Sequence, residues 1–447
     1  MFNKEIETLP LAKLRELQSE RLVKLVHQLY KKVPFYQQLF QAKNIEPTDI
    51  KSIEDIHKLP FTYKRDLRDQ YPFGFLTLPE KDLARIHCSS GTTGKPTVVA
   101  YTKNDLNVFS EVVARSLAAG GAKPGMKLHN AYGYGLFTGG IGLHYGAEKL
   151  GMSVIPISGG MTDRQIRLLK DFQSEVICCT PSYAQTIAYE LKKRKISLDQ
   201  LNLKYAILGA EPWTDTIRQE IEKGLGVKAT NIYGLSEVIG PGVSQEAFNE
   251  QNTGSYIWED HFYPEIVDKD TGKPLPYGEE GVLVFTTLTK EAMPFLRYYT
   301  NDICSLHYDE NGSRTHVKMS QIKGRADDML IIRGVNLFHT QVEEIFQDYN
   351  QLSSNYQLEV TRNGNMDVVE VKVETTELFQ RECLLGKSYS ENDCKTNPQL
   401  IRLIQNLQKK IKNNIGLSMN ISLKPLGTIP KSEGGKLNRI VDLREHE

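Results

Sequence analysis

"HCSSGTTGKPTVVAYT", residues 87–102, is the stretch on which the reading of this chain turns. It sets Ser89, Ser90, Thr92 and Thr93, two glycines (Gly91 and Gly94) and Lys95 between two apolar runs. Glycines permit tight backbone bends, hydroxyls and exposed N–H groups donate, and an ammonium adds charge; together these suit a phosphate. The pattern is not a Walker A loop, GxxxxGK[ST]: Gly91 and Gly94 stand too close together, and Lys95 is followed by Pro96 rather than a helix start. Pro96 favours an extended exit into Thr97–Tyr101, so the expectation is a strand–loop–strand phosphate grip. Read alone, the stretch fits a ligand-free hairpin tip equally well.

Downstream, short β-rich runs (VICCT, 176–180; KYAILGA, 204–210; GVLVFTTL, 281–288) are separated by helical patterns (DRQIRLLKDFQ, 163–173; DTIRQEIEKGLG, 215–226). That alternation predicts an α/β fold: a mainly parallel sheet with helices on its faces. Upstream, Leu14, Leu17, Leu22 and Leu25 recur at helical spacing in an amphipathic segment over 11–43. Beyond residue 324 the pattern changes. GRADDMLIIRG, a short helix signal (HTQVEEIFQDY), a strand pair (356–374), a helix (397–414) and a last strand (420–426) give a β-α-β-β-α-β order. This predicts a small α+β, ferredoxin-like domain over 327–447 after a large domain over 1–326, with ELFQRECLLGKSYSENDC (377–394) as a loop.

The 447 residues exceed one core. Lys+Arg and Asp+Glu both number 55, so no net charge draws the whole chain to nucleic acid or an anionic membrane. No run is long and apolar enough to span a bilayer, and MFNKEIETLP lacks a signal-peptide core, so a cytoplasmic location is expected. Six cysteines without a CxxC pair read as reduced thiols rather than a disulfide or zinc framework. Glu259, Asp260 and His261 look like a ligand set, but neighbours on a strand face opposite ways, so they read as structural.

Three further stretches carry chemistry. NIYGLSEV (231–238) offers an aromatic ring for a base, a hydroxyl, and a carboxylate able to hold Mg²⁺. In RYYTNDIC (297–304), Asp302 could accept both ribose hydroxyls; in IKGRADDMLIIRG (322–334), Arg325 stands two residues before Asp327 at the domain boundary. Each is weak alone.

In this order, the four stretches resemble the adenylate-forming superfamily of acyl-CoA ligases, adenylation domains and luciferases, and within it the phenylacetate–CoA ligase branch. AYGYGLFTGGIGLHYGAEKLG (131–151), GAEPW (209–213), YGLSEVIGPGVSQE (233–246), EDHFYPEIVD (259–268), LTKEAMPFLRYYTND (288–302), GRADDMLIIRGVN (324–336) and PKSEGGKLNRIVDLR (430–444) extend the likeness over nearly the whole chain. The resemblance implies an ATP-dependent, AMP-forming ligation of phenylacetate, or a similar aryl acid, to coenzyme A through an acyl-adenylate. By the same resemblance, Ser89 to Lys95 would hold the β- and γ-phosphates. Tyr233 and Gly234, with Gly209, Ala210, Glu211 and Pro212, would take the adenine, and Ser236 the α-phosphate. Glu237 would ligate Mg²⁺, Asp302 and Arg325 would meet the ribose or phosphate, and Asp327 would be the hinge of a mobile lid. Lys436 would bridge the attacking carboxylate and the α-phosphate; Lys431 is the alternative, and GKLNRIVD favours Lys436. Tyr132, Tyr134, Phe137 and Gly139 would line the acid pocket, where an aromatic wall with few polar groups suits a flat arylacetate. Gln245-Glu246 departs from the branch's pattern at the pocket floor. A homodimer is expected as possible. Alternatives are adenylation with another acid or acceptor (a carrier protein, or a cofactor hydroxyl as in coenzyme F₃₉₀ synthetases) and a non-catalytic nucleotide sensor.

Overall fold

The computed structural model describes residues 1–89, 96–326, 330–332, 335–363, 366–384, 393–430 and 437–444. It divides into two compact units, Met1–Ile322 and Lys323–Glu447.

The first unit opens with helices α1 (Lys4–Glu7), α2 (Leu11–Lys32), α3 (Pro34–Ala42) and α4 (Lys64–Asp69). In α2, Leu14, Gln18, Leu22, Leu25, Val26 and Leu29 recur every three or four residues and are all buried, so one face docks on the core. The helix stops at the extended Val33, because the residue before Pro34 is pushed out of the helical region, and the proline then starts α3. Strands β1 (Arg85–Ser89) and β2 (Thr97–Tyr101) pair antiparallel with Ser89 opposite Thr97, so the glycine-rich loop joins two paired strands, as its proline predicted. Residues 90–95, between those two feet, lie outside the described residues.

The parallel sheet follows: β3 (Lys127–Asn130), β4 (Ser153–Ile155), β5 (Val176–Cys179), β6 (Tyr205–Gly209) and β7 (Lys228–Leu235) are parallel in the spatial order β4-β3-β5-β6-β7. Helices α5 (Lys103–Ala119), α6 (Gly139–Leu150), α7 (Thr162–Phe172), α8 (Pro181–Lys193) and α9 (Asp215–Leu225) intervene. The sheet then turns antiparallel through β8 (Gly240–Glu246) and β9 (Ser255–Ile257). The run GVLVFTTL forms a strand outside that sheet. As β11 (Gly281–Thr287) it pairs antiparallel with β10 (Phe262–Val267) and β12 (Tyr298–Cys304) in a separate group. Its residues are buried on both faces, which gives a continuous apolar run without implying a parallel neighbour. Asn130, Gly209 and Leu235 end β3, β6 and β7 on one edge of the sheet, where open α/β sheets bind ligands.

Glu259, Asp260 and His261 lie in the turn between β9 and β10 rather than on a strand, so they are not set on opposite faces: Asp260 Oδ2 and His261 Nε2 stand 3.2 Å apart in one ion-pair cluster with Arg115 and Glu111. Asp260 takes a bidentate pair from Arg115 at 2.8 and 3.1 Å, Glu259 accepts from the Val317 N–H at 2.6 Å, and His261 Nε2 meets Glu111 at 3.2 Å. Gln245 and Glu246 belong to the β7–β8 seam: Glu246 is held by Arg218 at 2.8 Å and by the N–H groups of Asn231 and Asn252, and Gln245 donates to Thr230 at 3.0 Å. Cys178, Cys179, Cys304 and Cys383 are buried, Cys88 and Cys394 half-buried, and none is in a disulfide.

In the second unit a four-stranded sheet has the order 420–424, 366–375, 352–363, 440–442. The long pair is antiparallel and both edge strands join parallel. Helices His339–Phe346 and Pro398–Ile415 contribute Val342, Phe346, Leu400, Leu403, Leu407 and Ile411 to a core with Tyr356, Leu358 and Val360. The expected βαββαβ order differs here at its ends and in the segment after the long strand pair. Leu330–Ile332 folds back on Val335–Leu337 as its own hairpin, and Ile440–Asp442 takes the sheet edge instead. ELFQRECL is a helix, Glu377–Leu384, rather than loop, because Phe379 and Cys383, four apart, share the face that packs on this core. No helix of the described residues is long and apolar enough to cross a membrane.

Candidate active site

The turn leaving β7 is the centre of the site. A Cβ on Gly234 would lie 2.0 Å from the Gly240 carbonyl oxygen, so only glycine lets β7 close on β8 there. This close approach accompanies a register shift between Tyr233 and Gly234. Tyr233, half-buried, donates its hydroxyl to Asp302 Oδ2 at 2.5 Å. The expected base platform and ribose acceptor, far apart in sequence, are therefore direct partners. Burial, and then the Asp302 carboxylate, push the Tyr233 phenol well up, so it stays a donor. Ser236 Oγ lies 3.0 Å from Thr138 Oγ1. Glu237 is buried, and its Oε1 lies 3.6 Å from Lys64 Nζ.

Two buried donors hold this turn from beneath. Lys290 donates to the Glu237 carbonyl at 2.9 Å, and its ammonium stands over the rings of Tyr101 (5.1 Å) and Phe295 (5.6 Å). Tyr101 donates to the Ile239 carbonyl at 2.8 Å. Burial lowers Lys290 to about 8, against the pull of the Asp105 and Glu237 carboxylates. Asp105 in turn accepts from the N–H groups of Thr102 (2.9 Å), Glu291 (2.6 Å) and Ala292 (2.9 Å). The exit of β2, the start of α5 and the 289–292 loop are thus tied to the turn bearing Ser236 and Glu237.

The second wall is the end of β6. A Cβ on Gly209 would meet the Ile232 carbonyl oxygen at 2.0 Å, and Ala210 is left-handed at φ +70°, a conformation costly for a residue with a side chain. Glu211 accepts from the Ser182 N–H at 2.7 Å, fastening Gly209–Pro212 to the start of α8; Ala210 and Pro212 are exposed.

The acid stretch follows β3. Tyr132 is buried with its hydroxyl beside the Gly209 backbone. Asn130 donates to Tyr134 Oη and to the Gly140 carbonyl, both at 2.7 Å, and Tyr134 Oη lies 3.2 Å from His144 Nδ1. Burial raises the Tyr134 phenol to about 12, opposed by the Asn130 hydrogen bond. Phe137 is exposed, and Gly139 starts α6. The Cys88 N–H donates to the Leu136 carbonyl at 3.0 Å, so the strand that ends in Ser89 is laced to this stretch.

Ser89, Tyr132, Thr138, Gly209, Tyr233, Glu237 and Asp302 are therefore linked around one edge of the first unit. Arg325 lies in the second unit, half-buried in the short strand Gly324–Arg325. Asp327, Lys431 and Lys436 lie outside the described residues, as do Ser90, Gly91, Thr92, Thr93, Gly94 and Lys95. Sequence reasoning missed Lys64, Tyr101, Thr138 and Lys290. Lys290 sits inside the family-like LTKEAMP stretch, but nothing in its local pattern announces a buried ammonium.

With this geometry in place, comparison with known proteins gives the class. The AMP-binding enzyme model matches residues 3–289, and the AMP-binding enzyme C-terminal domain model matches residues 334–444. The chain belongs to the AMP-binding, adenylate-forming enzymes. It is 58% identical to a phenylacetate–coenzyme A ligase of Thermus thermophilus over 447 residues, covering 100% of both chains. It is 47% identical to that of Escherichia coli, over 98% of this chain and 97% of the other. Within the class it therefore falls in the phenylacetate–coenzyme A ligase family. The fold matches a solved 2-hydroxyisobutyryl-CoA ligase in its postadenylation state with 2-HIB-AMP, at a TM-score of 0.87 and 24% identity, over 98% of this chain and 91% of the other.

Proposed function

We propose that this chain joins phenylacetate, or a close arylacetic acid, to coenzyme A. ATP activates the acid as an acyl-adenylate with release of pyrophosphate, and the CoA thiol then displaces AMP. The observation that carries this reading is the 3.0 Å link between Thr138 and Ser236. It sets the aromatic stretch proposed for the acid against the turn proposed for the phosphates, where attack of a carboxylate on an α-phosphate requires both reactants side by side.

In this reading Tyr233 faces the adenine while its hydroxyl steadies Asp302, which accepts from the ribose. Ser236 donates to the α-phosphate, and the loop from Ser89 to Lys95 takes the β- and γ-phosphates. Lys436, carried on the small unit, neutralises charge between the acid and the α-phosphate, and Asp327 serves as the pivot that withdraws it for the thiol step. Glu237 fits a divalent cation: its carboxylate is buried, and its cationic neighbour Lys64 stands beyond hydrogen-bond distance. Among the described residues no cluster of three His, Cys, Asp or Glu could hold a metal, so Glu237 would hold Mg²⁺ with phosphate oxygens and water completing its shell. When bound, Mg²⁺ neutralises charge on the transferring phosphate. A homodimer and a cytoplasmic location complete the proposal, the first checked by light scattering.

The test is ATP–pyrophosphate exchange across a panel of carboxylic acids. Phenylacetate should support exchange, and small aliphatic or amino acids should not. Lys436→Ala should lower exchange on the order of 10²–10³ while sparing thioester formation from added acyl-adenylate. Exchange with none of the acids would overturn the reading.

A further inference from the structure

Two ammonium groups flank Glu237, and they are built differently. Lys290 is 4% exposed and bonded at 2.9 Å to the backbone carbonyl. Lys64 is 35% exposed, and its Nζ stands 3.6 Å from Glu237 Oε1, beyond hydrogen-bonding distance. The backbone that delivers Lys64 is nonetheless fixed. The Thr62 N–H donates to the Arg297 carbonyl at 3.1 Å, and the Tyr299 N–H donates to the Thr62 carbonyl at 2.9 Å. Residues 61–63 therefore run beside β12, the strand that carries Asp302. The Tyr63 ring packs on Tyr299 at 5.3 Å, and the Tyr63 N–H is capped by Asp66 Oδ2 at 2.7 Å. A rooted stem thus ends in an ammonium free to swing through its four-carbon chain.

We infer that Lys64 is a movable counter-ion that shields Glu237 before the nucleotide arrives and then transfers to the polyphosphate, contacting the pyrophosphate that leaves. The inference rests on the reading of Glu237 as the carboxylate at the phosphates. A buried carboxylate requires a compensating charge. Once polyphosphate and its cation occupy the site, an ammonium beside Glu237 is repelled by that cation, and the nearest strong anion is the phosphate chain. Lys290 cannot make this move, because it is enclosed by Tyr101, Phe295 and the carbonyl it bonds.

The test measures binding of magnesium pyrophosphate and of AMP to the full chain by calorimetry, for the wild type, Lys64→Met and Lys64→Arg. ATP–pyrophosphate exchange is then run with magnesium. Lys64→Met should weaken pyrophosphate about tenfold and leave AMP within about twofold, and Lys64→Arg should restore most of the loss. The KM for pyrophosphate in exchange should rise by the same factor, with the KM for the acid unchanged. Unchanged pyrophosphate affinity, or pyrophosphate and AMP weakening together, would overturn the inference. Glu237→Gln separates the two readings. If it abolishes exchange while Lys64→Met leaves pyrophosphate untouched, the lysine assignment fails and the site reading stands. If Glu237→Gln leaves exchange intact, the site reading fails and the lysine assignment goes with it.

Discussion

The two ends of the candidate site are built on opposite plans. The end proposed for the nucleotide gathers Tyr101, Tyr233, Glu237, Lys290 and Asp302 from separate elements and ties them together through hydrogen bonds, with Lys64 standing 3.6 Å from Glu237. The end proposed for the acid comes almost wholly from one stretch, Asn130 to His144, in which Phe137 and Leu136 remain 48% and 63% exposed. In the proposed reading, charge is placed against charge by long-range partners, whereas the apolar ring is met by one stretch. A preorganised polar environment stabilises charge developing in a reaction, whereas an apolar wall contributes in proportion to the area it covers.

This contrast can be broken at the nucleotide end first. Gly209→Ala forces a Cβ to within 2.0 Å of the Ile232 carbonyl oxygen, where backbone must yield. It should cost about 3 kcal/mol or more of stability, read by chemical denaturation. Lys290→Met keeps the apolar packing on Tyr101 and Phe295 but deletes the bond to the Glu237 carbonyl. Adenylation should fall by about 30-fold, equivalent to about 2 kcal/mol, in single-turnover measurements. The same variant carries a pH signature. Folded Lys290 releases its proton near 8, and an unfolded lysine near 10.5. Across that window the unfolded chain binds the extra proton, so wild-type stability rises with pH relative to Lys290→Met. A flat difference between the two from pH 8 to 10.5 would show that the ammonium is not desolvated. Tyr233→Phe removes the 2.5 Å donor to Asp302 and should raise the KM for ATP about fivefold, with little change in the KM for the acid. The smallest effect belongs to the acid end. Phe137→Ala should raise the KM for phenylacetate about threefold and shift stability by less than about 0.5 kcal/mol. A loss from Phe137→Ala exceeding that from Lys290→Met would erase the distinction.

The sequence was most informative where chemistry and chain proximity coincide. Pro96 turned the glycine-rich stretch away from a helix, and β1 and β2 do pair across it. The alternating runs from 176 to 226 became parallel strands and their helices. It was least informative where function depends on contacts across many residues. Lys290 looks like any polar loop lysine until Tyr101, Asp105 and Phe295 close around it, and Lys64 until residues 61–63 align with β12. The edge strand Ile440–Asp442 was equally hidden, because a three-residue strand exists only through the neighbour it pairs with. Periodicity reports which face of an element is apolar, and it carries nothing about which distant side chain will stand opposite.

The burial of the thiols has a practical use. Cys178, Cys179, Cys304 and Cys383 are sequestered, which leaves Cys88 in the large unit and Cys394 in the small one as the half-buried cysteine residues. Burial raises the Cys88 thiol, so its alkylation at neutral pH should be slow and controllable. The natural chain thus carries an attachment point for a spectroscopic probe in each unit, and a donor–acceptor pair placed on them would test the proposed movement of the small unit during turnover without any cysteine being added.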